Sequence, residues 1–554
     1  METCTLDIVQ YYLDIFKNRL SARKPLGTSA LLVSACGGGS GGDDAGSQSF
    51  PRAYVAPNGN YTPPQAEDPK FEALLTSYTA PYWVAALEMD QWDIHVTPML
   101  EDFGRVIEYT FPDSQPSYDH YEVTSWQPAT EQMRAATREI LTKFEVILDI
   151  SFVEGSAPAA TNVIAVGRSN QATTSGFSYF PNNFYEIGMD VFISKAYSNP
   201  RFTSELITNY DYEVLVHELG HALGLKHPFE EEGSNVTVLS AYEDNTRNTA
   251  MSYDDNSVTF NGTLRPLDWM ALTKFYGVKS TYNAGDDTYN FSTSGGKFII
   301  DGAGLDTISA ADTSLDVTID LRHGAHSHLG SKSSYITSAK QLTISHGSDI
   351  ENVETGSGDD RVIATGLDNL ITTGAGDDVI FAGGGSDVIR SGTGSDQIDL
   401  SEVVQAVDTV AVDASVFALG FDTIYGFVQG AAGDVLDVGG ILETGADLFP
   451  LVVADAAPVA NFSGGVLCVV GDALATSADL VIALGIDGSL SPLFMSDGAR
   501  SIIVSAASQD TGEDQSVFCA QGFSAGIQIS QLALLQGNAL DIDQWHASNF
   551  GLFA

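Results

Sequence analysis

The sequence predicts an α+β domain followed by an all-β parallel β-roll and a C-terminal β-rich region. Three observations carry that order: a histidine-bearing helical stretch around residue 217, a nine-residue Gly and Asp repeat from Thr355, and alternating apolar strands and Gly/Asp turns from residue 401 onwards. The length of 554 residues leaves room for about three to five units of roughly 100–200 residues each. A hydrophobic fraction of 44% is ordinary for a packed core and excludes wholesale disorder. The formal charge is −47, from 25 bases against 72 acids, and between residues 301 and 554 the only bases are Arg322, Lys332, Lys340, Arg361, Arg390 and Arg500. Such a chain repels phosphates, which argues against nucleic acid as a partner, and repels itself unless cations are bound. No apolar run reaches the roughly 18 residues of a membrane span, so no transmembrane segment is expected.

Residues 1–36 read as a leader. Basic residues from Lys17 to Lys24 precede an apolar stretch from Pro25 to Ala35, the layout of a secretory signal. Val33-Ser34-Ala35-Cys36 resembles a bacterial lipobox, which implies a lipid anchor at Cys36 and a place on the outer membrane; the alternative is a disordered leader without targeting value. Residues 37–66, rich in Gly, Ser, Asp and Pro, read as a flexible tether. Residues 67–104 read as a propeptide or an N-terminal extension. Cys468 and Cys519 either pair in an oxidising compartment or are two unrelated buried thiols.

The chemistry is concentrated in His217-Glu218-Leu-Gly-His221-Ala-Leu-Gly224-Leu-Lys-His227. Residues four apart share a helix face, so His217 and His221 can present two imidazoles to one metal ion with Glu218 beside them. Gly224 can adopt a conformation forbidden to other residues and turn the chain so that His227 arrives as a third nitrogen ligand. Three neutral imidazoles leave zinc an open position for water, the arrangement of a catalytic site.

This pattern resembles the metzincin metalloproteases. Thr249-Ala250-Met251-Ser252-Tyr253 is similar to their Met-turn, and His227-Pro228-Phe229 with Leu267 to Gly277 is similar to the serralysin branch. The resemblance implies a zinc protease domain over 105–277, in which Gln127 to Phe152 is an amphipathic helix leading into a strand. It further implies that Met251 is an apolar floor beneath the histidines, that Tyr253 is a zinc ligand able to swing away and donate to the oxyanion, and that Glu218 is the general base. Polypeptide substrates would lie extended beside an edge strand. Thr174 to Pro181 reads as such an edge, or equally as ordinary strand and turn.

From Thr355 the chain repeats every nine residues. Position six is Asp360, Asn369, Asp378, Asp387 and Asp396; position eight is Val362, Ile371, Ile380, Ile389 and Ile398. Gly356, Gly374, Gly383 and Gly392 hold position two, and Gly358, Gly376, Gly385 and Gly394 position four, while the second unit departs with Thr365 and Leu367. The pattern resembles the RTX calcium-binding nonapeptide, whose parallel β-roll is expected over 278–400. Glycine-turn carbonyls and stacked carboxylates would supply the hard oxygens that several Ca²⁺ ions need. Weaker units precede it at Gly285 to Tyr289 and at Gly302 to Ile308.

Residues 401–554 are expected to add β structure and end in an apolar tail, Asn549 to Ala554, that resembles a C-terminal signal read by bacterial secretion machinery. The combined expectation is a monomeric, secreted or surface-tethered zinc endopeptidase with one catalytic Zn²⁺ and several structural Ca²⁺. The alternative is an RTX surface adhesion or calcium-binding protein whose protease domain is vestigial.

Overall fold

The computed structural model describes residues 81–116, 125–156, 160–171, 174–182, 188–195, 210–254, 262–411, 422–429 and 432–438, together with backbone segments 447–454, 465–470, 500–506, 515–523, 526–536 and 549–551. Its described residues divide into two units, 82–272 and 273–554. The leader, Cys36 and the tether lie outside the described residues. The first unit is mixed α/β, and the second is β-rich with mostly parallel strands.

In order, the first unit contains α1 (Tyr82–Ala85), α2 (Trp92–Asp102), β1 (Val106–Thr110), β2 (Gln127–Pro128), α3 (Glu131–Ile147), β3 (Ser151–Glu154), β4 (Val163–Ser169), β5 (Gly176–Ser178), β6 (Val191–Ser194), α4 (Tyr210–Ala222) and α5 (Pro266–Tyr276). Thr130 caps α3 by accepting a hydrogen bond from Met133 N at 3.2 Å. The buried residues of α3 recur at helical spacing, Met133, Ala136, Thr137, Ile140, Leu141 and Phe144, so one face enters the core. The sheet runs β3-β1-β4-β6-β5, with β2 also on β4. β5 ends this path and pairs antiparallel with β6, which makes Gly176–Ser178 its edge among the described residues.

α1 and α2 precede the sequence division at residue 105, yet they belong to this compact unit. The stretch between them is tied to the turn after α4. Met89 N donates to Gly224 O at 3.0 Å, Lys226 N donates to Leu87 O at 2.8 Å, and Glu88 bridges Leu225.

The second unit is built from short strands stacked 18 residues apart. In one ladder Val362, Ile380, Ile398 and Ile424 stand side by side; in the other Val353, Ile371, Ile389, Val410 and Leu436 do. All of them are buried in one apolar column, which is why position eight of the repeat is aliphatic. Both ladders continue past residue 400. Strands 409–411, 435–437 and 550–551 extend one, while strand 422–425 extends the other and then pairs with 526–536.

Of the two readings of Cys468 and Cys519, the strand order favours separate thiols. Strand 465–470, which carries Cys468, and strand 515–523, which carries Cys519, each pair with strand 500–506 lying between them. Two strand spacings separate their backbones by roughly 10 Å, beyond the reach of a disulfide.

Ile389→Ala should open a gap between Ile371 and Val410 and cost about 2–5 kcal/mol. A lowered urea midpoint of the calcium-saturated protein is the expected reading, and an unchanged midpoint would show that the column is not tightly packed.

Candidate metal centre

α4 is apolar on nearly every side: Val214, Leu215, Val216, Leu219 and Ala222 are all buried, as befits a helix enclosed by its domain. It ends in a Schellman arrangement, with Leu225 N donating to Gly220 O at 3.0 Å and Gly224 N to His221 O at 2.9 Å. Gly224 sits at φ +96°, and a Cβ there would stand 3.1 Å from the Trp92 ring. The turn brings His227 back over the helix. His227 Nε2 then lies 3.2 Å from both His217 Nε2 and His221 Nε2.

The outer ring nitrogens decide what those contacts are. His217 Nδ1 donates to Ala250 O at 2.7 Å, His221 Nδ1 to Leu225 O at 2.6 Å, and His227 Nδ1 to the Glu230 carboxylate at 3.0 Å. Carbonyls and carboxylates only accept, so each imidazole spends its single N–H outside the cluster and turns its Nε2 lone pair inwards, where that of His227 also meets the Tyr253 hydroxyl at 2.9 Å. Burial keeps the rings neutral, lowering His217 to about 4 and holding His221 and His227 well below the usual imidazole value. Two nitrogens at about 2.05 Å from one tetrahedral ion stand roughly 3.3 Å apart, so the spacing fits zinc.

Glu218 is fully buried, and neither of its carboxylate oxygens has a hydrogen-bond partner; burial pushes its acid well above the usual carboxylate range. Gly176 of β5 backs it so closely that a Cβ there would lie 2.7 Å from Glu218 Oε1. Tyr253 is 40% exposed, and its hydroxyl lies 2.9 Å from His227 Nε2. Met251 is buried, and its sulfur would meet a Cβ on Gly220 at 2.9 Å, which places it against the helix between His217 and His221.

In the second unit the position-six acids form two ladders. Val317 N donates to Asp360 Oδ1 at 2.7 Å, Asp360 N to Asp378 at 2.8 Å, Asp378 N to Asp396 at 2.9 Å and Asp396 N to Asp422 at 3.2 Å. On the other side Asn369 N donates to Asp387 at 2.8 Å, Asp387 N to Asp408 at 2.9 Å and Asp408 N to Asp434 at 3.0 Å. The second oxygens of Asp360, Asp378, Asp387 and Asp396 are buried without a partner. Asn369 differs, because its amide donates to Glu351 O at 2.8 Å and its oxygen accepts from Thr365 N at 3.3 Å. The glycines let the turns stack, since a Cβ on Gly392 or Gly394 would lie 1.9 Å from Gly374 O or Gly376 O. Asp287, Asp301 and Asp306, around the two weaker units, each bring a carboxylate oxygen within 4.8 Å of the others.

Residues 363–398 match four copies of the RTX calcium-binding nonapeptide repeat. A serralysin of Proteus mirabilis is 29% identical over 305 residues, covering 48% of this chain and 60% of its own. A metallopeptidase AprA of Pseudomonas marginalis is 26% identical over 300 residues (48% and 61%), and a serralysin of Photorhabdus luminescens 27% over 301 residues (48% and 59%). The chain is similar to the serralysins. The match spans about three fifths of each of these relatives.

Two side chains inside the stretches that carry the serralysin likeness, to which the sequence pattern assigns no role, hold the centre in place. Asp268, fully buried near the start of α5, accepts from Ala250 N at 2.7 Å, Thr249 Oγ1 at 2.5 Å and Arg265 N at 2.8 Å. It thereby clamps the turn whose Ala250 carbonyl orients His217. Lys226, 2% exposed, donates to the carbonyls of His227, Glu230 and Thr237 and gathers the loop after the third histidine. Asp268 has a local signal, an acid in the first helical turn after Pro266; Lys226 has none.

Burial, reinforced by neighbouring carboxylates, raises Asp378 and Asp408 to about 7 and Asp387 and Asp422 to about 8, from an ordinary 3.8. Folded-state values above the unfolded one mean that protons stabilise the cation-free roll. That contribution is complete below about pH 4 and is lost as pH rises through 7 to 8. With calcium chelated, the second unit should melt at a lower temperature at pH 8 than at pH 5.5, and excess calcium should remove the difference; a chelated roll more stable at pH 8 would contradict the ladder's electrostatics.

Proposed function

We propose that the chain is an exported zinc endopeptidase of the metzincin class, with a roll that folds around calcium. The observation that carries the reading is the trio of inward lone pairs on His217, His221 and His227, set beside a buried, unpartnered Glu218. Zinc held by these three residues supplies a Lewis acid and a water acidified from 15.7 towards about 7. Glu218 takes the proton of the attacking water and returns it to the leaving amine. Tyr253, with its hydroxyl 2.9 Å from His227 Nε2, donates to the oxygen that gains charge. The substrate is a polypeptide lying extended along β5, the edge that touches Glu218 through Gly176.

Calcium fits the second unit because the ladders leave buried carboxylate oxygens unpaired. Export is supported by the signal-like layout of residues 17–36 and by the apolar tail. No helix among the described residues is long and apolar enough to cross a membrane.

Glu218→Gln should keep the fold and lower casein hydrolysis by at least about 10²-fold, the usual worth of a positioned base. Wild-type rates in that variant would refute the assignment of Glu218. Gly176→Ala should act through the same carboxylate, since its new methyl group collides with Glu218 Oε1. Its kcat is expected to fall at least tenfold while bound zinc, measured by elemental analysis, stays at one per chain; loss of zinc with unchanged kcat per zinc would show that the glycine serves the histidines instead.

A further inference from the structure

We infer that the nonapeptide turn at residues 382–387, the last on its side of the roll, forms a divalent-cation site with Glu402, a carboxylate from outside the repeat. The inference rests on the reading of the roll as calcium-binding and extends it to a turn that lacks the calcium pattern. Residues 400–408, Leu-Ser-Glu-Val-Val-Gln-Ala-Val-Asp, contain no glycine. Three extra residues are inserted there, so Asp408 takes its place in the ladder 21 residues after Asp387, where the regular step is 18.

Glu402 occupies the space that the missing glycine turn would leave. Its Oε1 accepts from Ala406 N, while its Oε2 is buried without a partner and lies 3.7 Å from the Cβ position of Gly384. In the same turn as Gly384, Asp387 is 1% exposed, with Oδ2 equally buried and unpartnered. The charges that act most on Asp387 are the carboxylates of Asp408, Asp368 and Glu402. On the other side of the roll each position-two and position-four carbonyl faces the glycine one rung on, as Gly374 O faces Gly392 and Gly376 O faces Gly394. Neither orphan oxygen has surface that water can reach. A calcium ion about 2.3–2.6 Å from each oxygen needs less room than a water and removes the repulsion.

Equilibrium dialysis of the full chain against ⁴⁵Ca²⁺ tests the site. Glu402→Gln keeps the Oε1 that accepts from Ala406, and should bind one calcium fewer than wild type, or bind that ion at least tenfold more weakly, with zinc content unchanged. Asp387→Asn, which keeps the ladder's accepting oxygen, should lose the same ion, so the double variant should lose no more than one. Circular dichroism at saturating calcium guards against misfolding of either variant. A Glu402→Gln protein that folds and binds the wild-type number of ions with wild-type affinities overturns the inference. A wild-type chain that binds no calcium overturns the calcium reading of the roll itself, a distinct result.

Discussion

The three Nε2 atoms at the end of α4 meet with no proton available to any pair of them, because each ring spends its N–H on an acceptor outside the cluster. Lone pairs directed at one another at 3.2 Å repel, and a cation between them turns that repulsion into coordination. The same constraint governs the roll, where carboxylate oxygens are buried in register without a hydrogen-bond donor. The two units meet it at different cost. A neutral imidazole is buried cheaply, so the histidine trio can be assembled by its own domain before any metal arrives. A buried carboxylate must find a cation or take up a proton. The first unit is therefore preformed around its site, while folding of the second is linked to its ions.

Preformation has a visible structure. The Leu225 carbonyl, exposed by the helix cap, fixes His221; the Ala250 carbonyl, held by Asp268, fixes His217; Lys226 gathers the loop that presents His227. Each ligand is oriented by a group set outside the cluster, which is what keeps a site's geometry from depending on the ion alone. Gly176 and Gly220 mark the closest approaches, one against Glu218 and one against Met251, where any side chain would displace the residue it faces.

How much of this was legible in the sequence follows from how local each feature is. His217, Glu218 and His221 share one helix, and the 18-residue step of the roll is the nonapeptide written twice, so periodicity alone locates both. Asp268 acts across the fold on residues 18 and 19 positions away, and Lys226 acts through carbonyls that carry no side-chain signal. The contribution of α1 and α2 to the turn at Gly224 depends on pairing over more than a hundred residues, which composition cannot disclose. Asp408, Asp422 and Asp434 continue the ladders after the strict pairing of glycines at positions two and four has lapsed. A repeat recognised by its glycines ends at Asp396, although the surviving pairs Asp408 with Val410, Asp422 with Ile424 and Asp434 with Leu436 keep positions six and eight.

That persistence shows which part of the repeat is structural and which is chemical. The Asp oxygen that accepts a backbone N–H from the previous rung, and the aliphatic two residues later, propagate the ladder at Asp408 and Val410, where the preceding turn has no glycine. Glycine at positions two and four is required only where two turns pass so closely that a Cβ would strike a carbonyl. Stacking and cation binding are thus separable functions of one nine-residue unit. A chain of this charge can lengthen its roll with turns that stack without glycine, each adding buried carboxylate that the remaining cation sites must balance.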